Sequence, residues 1–310
     1  MHIPDGFLDP LTSAGCAAAA ATVVGVALAR LNGKLHERAV PLLGVTAAGV
    51  FAAQMVNFPI PGGTSGHLLG GAIAASLVGP WAGLVAMTCV LVVQCLLFGD
   101  GGLWALGANV LNLGVVGCFL GYCVYSPLRR WIGGPRGAVV AGVIAAWVTT
   151  VVGAATCAWQ LALSGVAPAA VALRWMVGIH AIIGVGEALL TGLVLVWLAR
   201  SRPELLEPPQ ESAMTRTMQI LVAGAALALV IAIILAPFAS SLPDGLEKVA
   251  AELGFLDRAA ASPLQAAMPD YRAPWLAHPA LATSAAGATG TLVVLGLALF
   301  LGRSLRTGWR

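Results

Sequence analysis

Leu68-Leu69-Gly70-Gly71-Ala72-Ile73-Ala74-Ala75-Ser76-Leu77-Val78-Gly79 carries no charge and sits between a glycine-rich loop and Pro80. A membrane-spanning helix needs about 20 mostly apolar residues, and this run is shorter. Whether it crosses decides the topology of everything around it. On either side lie longer apolar runs with no alternation, which read as helices and not as barrel strands. They cover 11–30, 40–58, 81–98, 104–125, 137–158, 177–199, 217–238 and 281–302.

The composition agrees. The chain has 310 residues, 59% of them hydrophobic and 9% charged, with a mean hydropathy of +0.91. Soluble domains carry about 25% charge. So few charges cannot clothe a water-facing surface of this size. That excludes a cytosolic enzyme, a nucleic-acid binder and a disordered chain. The fold class is an all-α polytopic membrane protein.

The charges fix the count of crossings. Positive residues cluster at Arg30/Lys34/Arg38, Arg129/Arg130/Arg136, Arg200/Arg202/Arg216 and Arg303/Arg306/Arg310. Such clusters stay in the cytoplasm, so neighbouring pairs must be separated by an even number of spans. Between the first two lie 40–58, 81–98 and 104–125, which is odd; counting 68–79 restores parity. Nine transmembrane helices follow, seven up to Arg200 and two beyond it. The expectation is a multi-pass protein of the bacterial inner membrane, C-terminus in the cytoplasm, residues 1–10 and the loop 58–67 outside. The start lacks a basic region, and His2, Pro4 and Asp5 precede the first span, so no secretory signal is expected. Met1 then reads as the mature terminus, its amine facing outward.

The segment 203–216 is polar and proline-rich and reads as a cytoplasmic linker. It separates a seven-span unit, 1–202, from a two-span hairpin, 217–310, with an outer loop at 239–280. In that loop Leu246, Val249, Ala250 and Leu253 recur at helical spacing, and Asp244 is placed to cap such a helix. The six cysteines (Cys16, Cys89, Cys95, Cys118, Cys123, Cys157) all fall in predicted spans without a CxxC, and read as small buried hydrophobes.

The histidines carry the chemistry. His36 and His278 lie in loops and read as solvated. His2 is different: a terminal amine, the amide nitrogen of residue 2 and the His2 Nδ1 can close five- and six-membered chelate rings on one ion. Three nitrogens then share a plane, a geometry that favours Ni(II) or Cu(II). The bland alternative is a frayed polar terminus, although Pro4-Asp5-Gly6-Phe7-Leu8 could fold back into the bundle.

His67 falls on the same outer side, at the start of the short third span. It is either a fourth in-plane nitrogen or a buried hydrogen-bonded histidine. Thr64 or Ser65 could cap the helix that follows. His180 and Glu187 share a face of the span 177–199, where ionisable groups are rare. Glu187 could orient a ligand histidine or bond another helix. Asn57, Gln54, Gln94, Asn109 and Asn112 could build a network near the site, or simply join helices. Carboxylates are scarce in the outer N-terminal half apart from Asp5, Asp9 and Asp100, which leaves nitrogen ligation. A rival signal is Gly63-Thr64-Ser65-Gly66, a GxSG match to rhomboid intramembrane proteases, with Ser65 as nucleophile and His180 as base.

Several motifs together resemble a known family. Met1-His2-Ile3-Pro4-Asp5-Gly6-Phe7-Leu8 is similar to the start of the substrate-specific M component of nickel/cobalt energy-coupling-factor transporters. Gly62-Gly63-Thr64-Ser65-Gly66-His67-Leu68-Leu69-Gly70-Gly71 resembles its second motif. Gly101-Gly102-Leu103 with Gly107-Ala108-Asn109, and His180 through Ala188, are further matches. Pro243-Asp244-Gly245-Leu246-Glu247 resembles the signature of the small N component, here fused behind the linker.

The resemblance implies a transport subunit and not an enzyme. It would bind Ni(II) through the Met1 amine, the residue-2 nitrogen, the His2 ring and His67, with Asp5, Asn109, His180 and Glu187 in a supporting or translocation role. The start and the His67 motif look more like the nickel branch, while the same site could serve Co(II) for cobalamin synthesis. No organic cofactor is implied. The expected partners are the lipid bilayer, a membrane coupling subunit and cytoplasmic ATPase subunits. The chain itself has no Gly-x4-Gly-Lys-Ser/Thr loop.

Overall fold

The computed structural model describes residues 1–206 and 214–309. After an N-terminal arm, 1–9, that turns at Asp5–Gly6, the chain runs through α1 (Pro10–Leu31), α2 (Ala39–Gln54), a short antiparallel pair β1 (Phe58–Ile60) and β2 (Thr64–Gly66), and α3 (Gly71–Val78). Then come α4 (Pro80–Phe98), α5 (Leu106–Ile132), α6 (Gly134–Leu163) and α7 (Ala169–Ser201). α8 begins at Met214 and continues through a π-turn to Phe238; α9 is Gly245–Glu252 and α10 is Pro279–Thr307. Among the described residues, seven helices are long and apolar enough to cross a membrane: α1, α4, α5, α6, α7, α8 and α10. The protein is therefore an all-α, multi-pass membrane protein.

The helices start where local chemistry allows. Asp9 caps α1 by accepting from the Leu11 and Thr12 N–H groups, with Pro10 at the first helical position. The faces away from the bundle stay apolar: Leu189, Leu193, Ile234 and Phe300 are all exposed, as lipid-facing side chains are. Inside, small residues let helices close up. Gly71 of α3 faces Gly117 of α5, and any Cβ there would strike backbone.

α3 corrects the reading of 68–79 as one spanning helix. It has only eight residues, about 12 Å of rise. The chain nevertheless makes the crossing. His67 and Asp100 both reach the buried N-terminus, through the Met1 nitrogen and the His2 ring. Between them α4 alone rises about 28 Å over its 19 residues. Pro80 must therefore lie a helix length below the site. The extended residues 67–70 and α3 share the descent. α2, at 16 residues, is likewise shorter than the span 40–58 expected of it.

The outer-loop helix is present. Asp244 accepts from the Leu246 and Glu247 N–H groups, and the Glu247 carboxylate accepts in return from the Asp244 N–H. Leu246, Val249 and Ala250 face the core. Thr64 and Ser65 do not cap α3. They lie in β2, and the N-cap position of α3 is Gly70. Four of the cysteines are buried, but Cys123 is exposed and Cys16 half-buried, so the buried reading fails for those two; none of the six is in a disulfide. Of the expected linker, 207–213 lie outside the described residues, as does Arg310.

Candidate metal site

The N-terminal arm is not frayed. Met1, Ile3, Asp5 and Phe7 are all buried, the chain turning at Asp5–Gly6 on its way to α1. Asn109 clamps Ile3 from both sides: the Ile3 N–H donates to Asn109 Oδ1 at 2.8 Å, and Asn109 Nδ2 donates to the Ile3 carbonyl at 3.1 Å. The Gly102 N–H donates to the same carbonyl. The Asp5 carboxylate accepts from the N–H groups of Leu103 and Trp104. A side chain at Gly102 would collide with Asp5, which explains glycine in the Gly101-Gly102-Leu103 motif.

This arm delivers Met1 and His2 to His67. The Met1 ammonium donates to His67 Nε2 at 3.1 Å. The His67 Nδ1 lies 3.0 Å from the Leu68 carbonyl, so Nδ1 carries the proton and Nε2 offers its lone pair. The His2 and His67 rings stack, with centroids 5.5 Å apart and planes 15° from parallel. Glu187 does not touch either ring. It accepts from the Leu69 N–H at 2.6 Å and the Gly70 N–H at 3.1 Å, and so pins the extended chain just after His67. His180 stands apart: its Nδ1 bonds the Met176 carbonyl within α7, and its ring packs on Gly245, where a Cβ would not fit. The protease pair does not form, because Ser65 Oγ donates to the Leu242 carbonyl at 2.8 Å.

The expected polar network is present in part. Gln54 donates to the Leu69 carbonyl and accepts from Gln94; Asn112 and Gln160 bond each other. Gln94 Oε1 and His2 Nε2 are buried without partners among the described residues.

Sequence reasoning undercounted the carboxylates. Asp244, from the far end of the chain, lies 2.7 Å from the Met1 ammonium. The strand pair positions it: the Ser65 N–H donates to the Pro243 carbonyl, and Thr64 Oγ1 donates to it as well. Asp100 lies 3.2 Å from His2 Nδ1 and accepts from the Tyr271 hydroxyl at 2.5 Å. The signs of Asp244 in the sequence were its capping position and its place in the Pro243–Glu247 motif, and neither pointed to the N-terminus.

Burial disfavours charge at Met1, His2, His67 and Asp244. At Met1 the Asp244 carboxylate outweighs burial and raises the ammonium pKa. At Asp244 burial is likewise outweighed, by the ammonium, and the pKa falls. The imidazoles go the other way. Burial lowers the His2 pKa, and burial together with the positive Met1 terminus lowers that of His67. Both rings are neutral near pH 7, the form that binds metal. A cavity of about 580 Å³ reaches them past Asp100, Asp244, Glu247 and Ser240. Among the described residues no three His, Cys, Asp or Glu side chains converge as a metal-holding group.

A many-helix membrane bundle with a buried amine and two neutral imidazoles at the end of one polar cavity defines a class, the membrane proteins that handle a transition-metal cation. Comparison with known proteins narrows it. Residues 2–205 match the family model for the cobalt uptake substrate-specific transmembrane region, CbiM, and residues 218–307 match the PDGLE domain. A protein of Archaeoglobus fulgidus called a fused nickel transport protein, NikMN, is 37% identical over 99% of this chain and 100% of its own length. A cobalt transport protein, CbiM, of Geobacter sulfurreducens is 36% identical over 66% of this chain and 61% of its own. A crystal structure of a truncated transition metal transporter is 34% identical and superposes with a TM-score of 0.58, covering 64% of this chain and 99% of that one. The chain belongs to the CbiM family of metal-uptake membrane proteins, with a PDGLE domain fused behind it.

Proposed function

We propose that this protein is the substrate-specific subunit of an ATP-driven energy-coupling-factor importer of divalent nickel. The metal is held at the outer face by the Met1 amine, the residue-2 nitrogen, His2 Nδ1 and His67 Nε2. The observation that carries the reading is the approach of the Met1 nitrogen to His67 Nε2, 3.1 Å. Two ligands at right angles, on metal–nitrogen bonds of about 2.0–2.1 Å, stand about 2.9 Å apart. In the chelate drawn from residues 1 and 2, the open fourth corner adjoins both the amine and the His2 ring. His67 adjoins both.

Three groups must change for this site to load. The amine gives up the proton that Asp244 stabilises, the residue-2 amide gives up its N–H proton so that its nitrogen has a lone pair to offer, and His2 Nδ1 leaves Asp100. The His2 Nε2–H then faces inward, where Gln94 lies beside the ring and has an unpartnered oxygen. Four in-plane nitrogens suit Ni(II). Co(II) is the second reading, favoured by the family model's own description. Residues 1–202 form the metal-binding unit and 217–310 a hairpin unit, with the N-terminus outside and the C-terminus in the cytoplasm. Energy comes from a membrane coupling subunit and cytoplasmic ATPase subunits.

The test measures nickel binding by the purified full-length protein after acetylation of the Met1 amine and, separately, with His2→Ala. Each removes one nitrogen of the chelate, and affinity should fall at least as far as the about 10- to 100-fold that losing a mere supporting group costs. Unchanged affinity would overturn the terminal-amine site.

A further inference from the structure

The end of the bundle opposite the metal site holds a pocket that metal transport does not use. Asn109, which holds Ile3, stands near one end of α5; Arg129 stands near the other, about 30 Å along the helix. There a pocket of about 480 Å³ opens between the last turns of α5, the turn Gly133–Pro135 and the segment ending at Leu206. Its walls carry Tyr125, Arg129 and Arg130, and among the described side chains no carboxylate lines it. Arg129 donates one N–H to the Leu206 carbonyl, which fixes the guanidinium at the wall with further N–H groups to spare. Among the described residues, neither arginine is within ion-pair distance of a carboxylate.

A second observation points to a ligand. Tyr125 is 1% exposed and lines this pocket; the Arg129 guanidinium stands beside it, 5.8 Å from the ring centre, yet the hydroxyl makes no hydrogen bond of normal geometry among the described residues. A buried hydroxyl left unpaired is costly. An acceptor oxygen in the pocket would satisfy it and the arginines together. Trp131, fully turned outward beside them, belongs to the residue type that settles at the headgroup level of a bilayer. The pocket thus lies where headgroup phosphates are.

We propose that this pocket binds the phosphate of an anionic phospholipid, with Arg129 and Arg130 pairing its charge and the Tyr125 hydroxyl donating to one of its oxygens. Basic pockets between helices on the cytoplasmic side hold such headgroups, and the positive-residue count places this end there. The lipid would anchor the turn between α5 and α6 and the chain at Leu206, just ahead of the fused hairpin unit.

The test uses full-length protein in nanodiscs of phosphatidylcholine with or without phosphatidylglycerol, followed by native mass spectrometry of retained lipid. Wild type should keep phosphatidylglycerol over phosphatidylcholine. Arg129→Gln/Arg130→Gln should lose that preference, by about fivefold per arginine. Tyr125→Phe, which removes only the hydroxyl, should weaken it while leaving helicity unchanged by circular dichroism. Millimolar inorganic phosphate added to phosphatidylcholine discs should not raise the thermal midpoint. Equal retention in wild type and the double variant would overturn the proposal, and so would stabilisation by free phosphate without lipid preference. Nickel binding plays no part in the readout, so this proposal and the metal site fail separately.

Discussion

The Met1 ammonium lies 2.7 Å from the Asp244 carboxylate although 243 residues separate them. The contact ties the first residue of the CbiM unit to the PDGLE motif of the fused hairpin. Asp244 has two tasks there, since it also caps α9. Asn keeps the cap and loses the charge; Ala loses both. With a chelator present, Asp244→Asn should lower stability by about 1–3 kcal/mol, the scale of a charge-assisted hydrogen bond left with one partner. Asp244→Ala should cost about 1 kcal/mol more. Thermal unfolding in detergent reads both, and a midpoint equal to wild type for Asn would show that the pair contributes nothing.

Glu187 acts on the site through the backbone. Its two oxygens accept from consecutive N–H groups, those of Leu69 and Gly70, two and three residues past His67. Glu187→Gln can satisfy only one of those donors in the same pose. The metal keeps its ligands, but His67 loses its fixed height beside Met1. Nickel affinity should drop about 10- to 100-fold, as for other supporting groups around a metal ligand, with less effect than His67→Ala. An affinity like that of wild type would leave Glu187 as a purely structural bond.

The fold was legible because lipid leaves so few options. Long apolar runs with charges sorted to one side predict helices and their direction, and the described helices fall where those runs lie. What the pattern could not show was α3. Residues 68–79 read as one apolar run, yet Glu187 takes the Leu69 and Gly70 N–H groups and the helix begins only at Gly71. That partner sits over 100 residues away, and hydropathy has no term for it.

The site was legible where local chemistry specified it. The position of His2 within a chelate ring follows from two residues, and the shared side of His67 follows from topology. Asp244 and Tyr271 were not, since their role arises only when the outer loop folds over the arm. Glu187 was singled out for its cost in a membrane, as either an orienter of a ligand ring or a structural partner; its contacts are with the backbone N–H groups of Leu69 and Gly70, a distant pairing that sequence does not specify.

Nickel binding should depend on pH through the amine and the residue-2 amide, which each release a proton, and not through the imidazoles. The Met1 pKa is raised, so the amine is still protonated at pH 7 and must release a proton to bind. The ring pKa values are lowered, so neither ring has a proton to give up. Affinity should rise with pH from 6 to 8, about tenfold per unit for each proton released. Titration calorimetry in buffers of different ionisation enthalpy counts those protons. A flat profile, or a single break near the ordinary histidine pKa, would contradict the assignment. The same shifts bound the ion pair's contribution to stability. The Met1 share is present below the ordinary amine pKa, about 8, and is lost as pH rises through the raised value. The Asp244 share is present above about 4 and is lost as pH falls through the lowered value.

Asn109 tests whether the arm must be held to be a ligand. It touches no expected metal-binding atom; it pairs with both polar groups of the Ile3 backbone, one residue beyond His2. Asn109→Ala leaves the Ile3 N–H without that acceptor in a buried place, a loss of about 1–3 kcal/mol. If Met1 and His2 bind as a preformed clasp, that cost appears in affinity, because the metal must then order a looser arm. Nickel affinity should fall about 5- to 100-fold while the visible spectrum of the bound ion stays the same, since the ligands are unchanged. Asp5→Asn, which weakens the anchor at Leu103 and Trp104, should act in the same direction and less strongly. A changed spectrum would place Asn109 or its neighbours among the ligands, and an unchanged affinity would mean that the metal itself folds the arm.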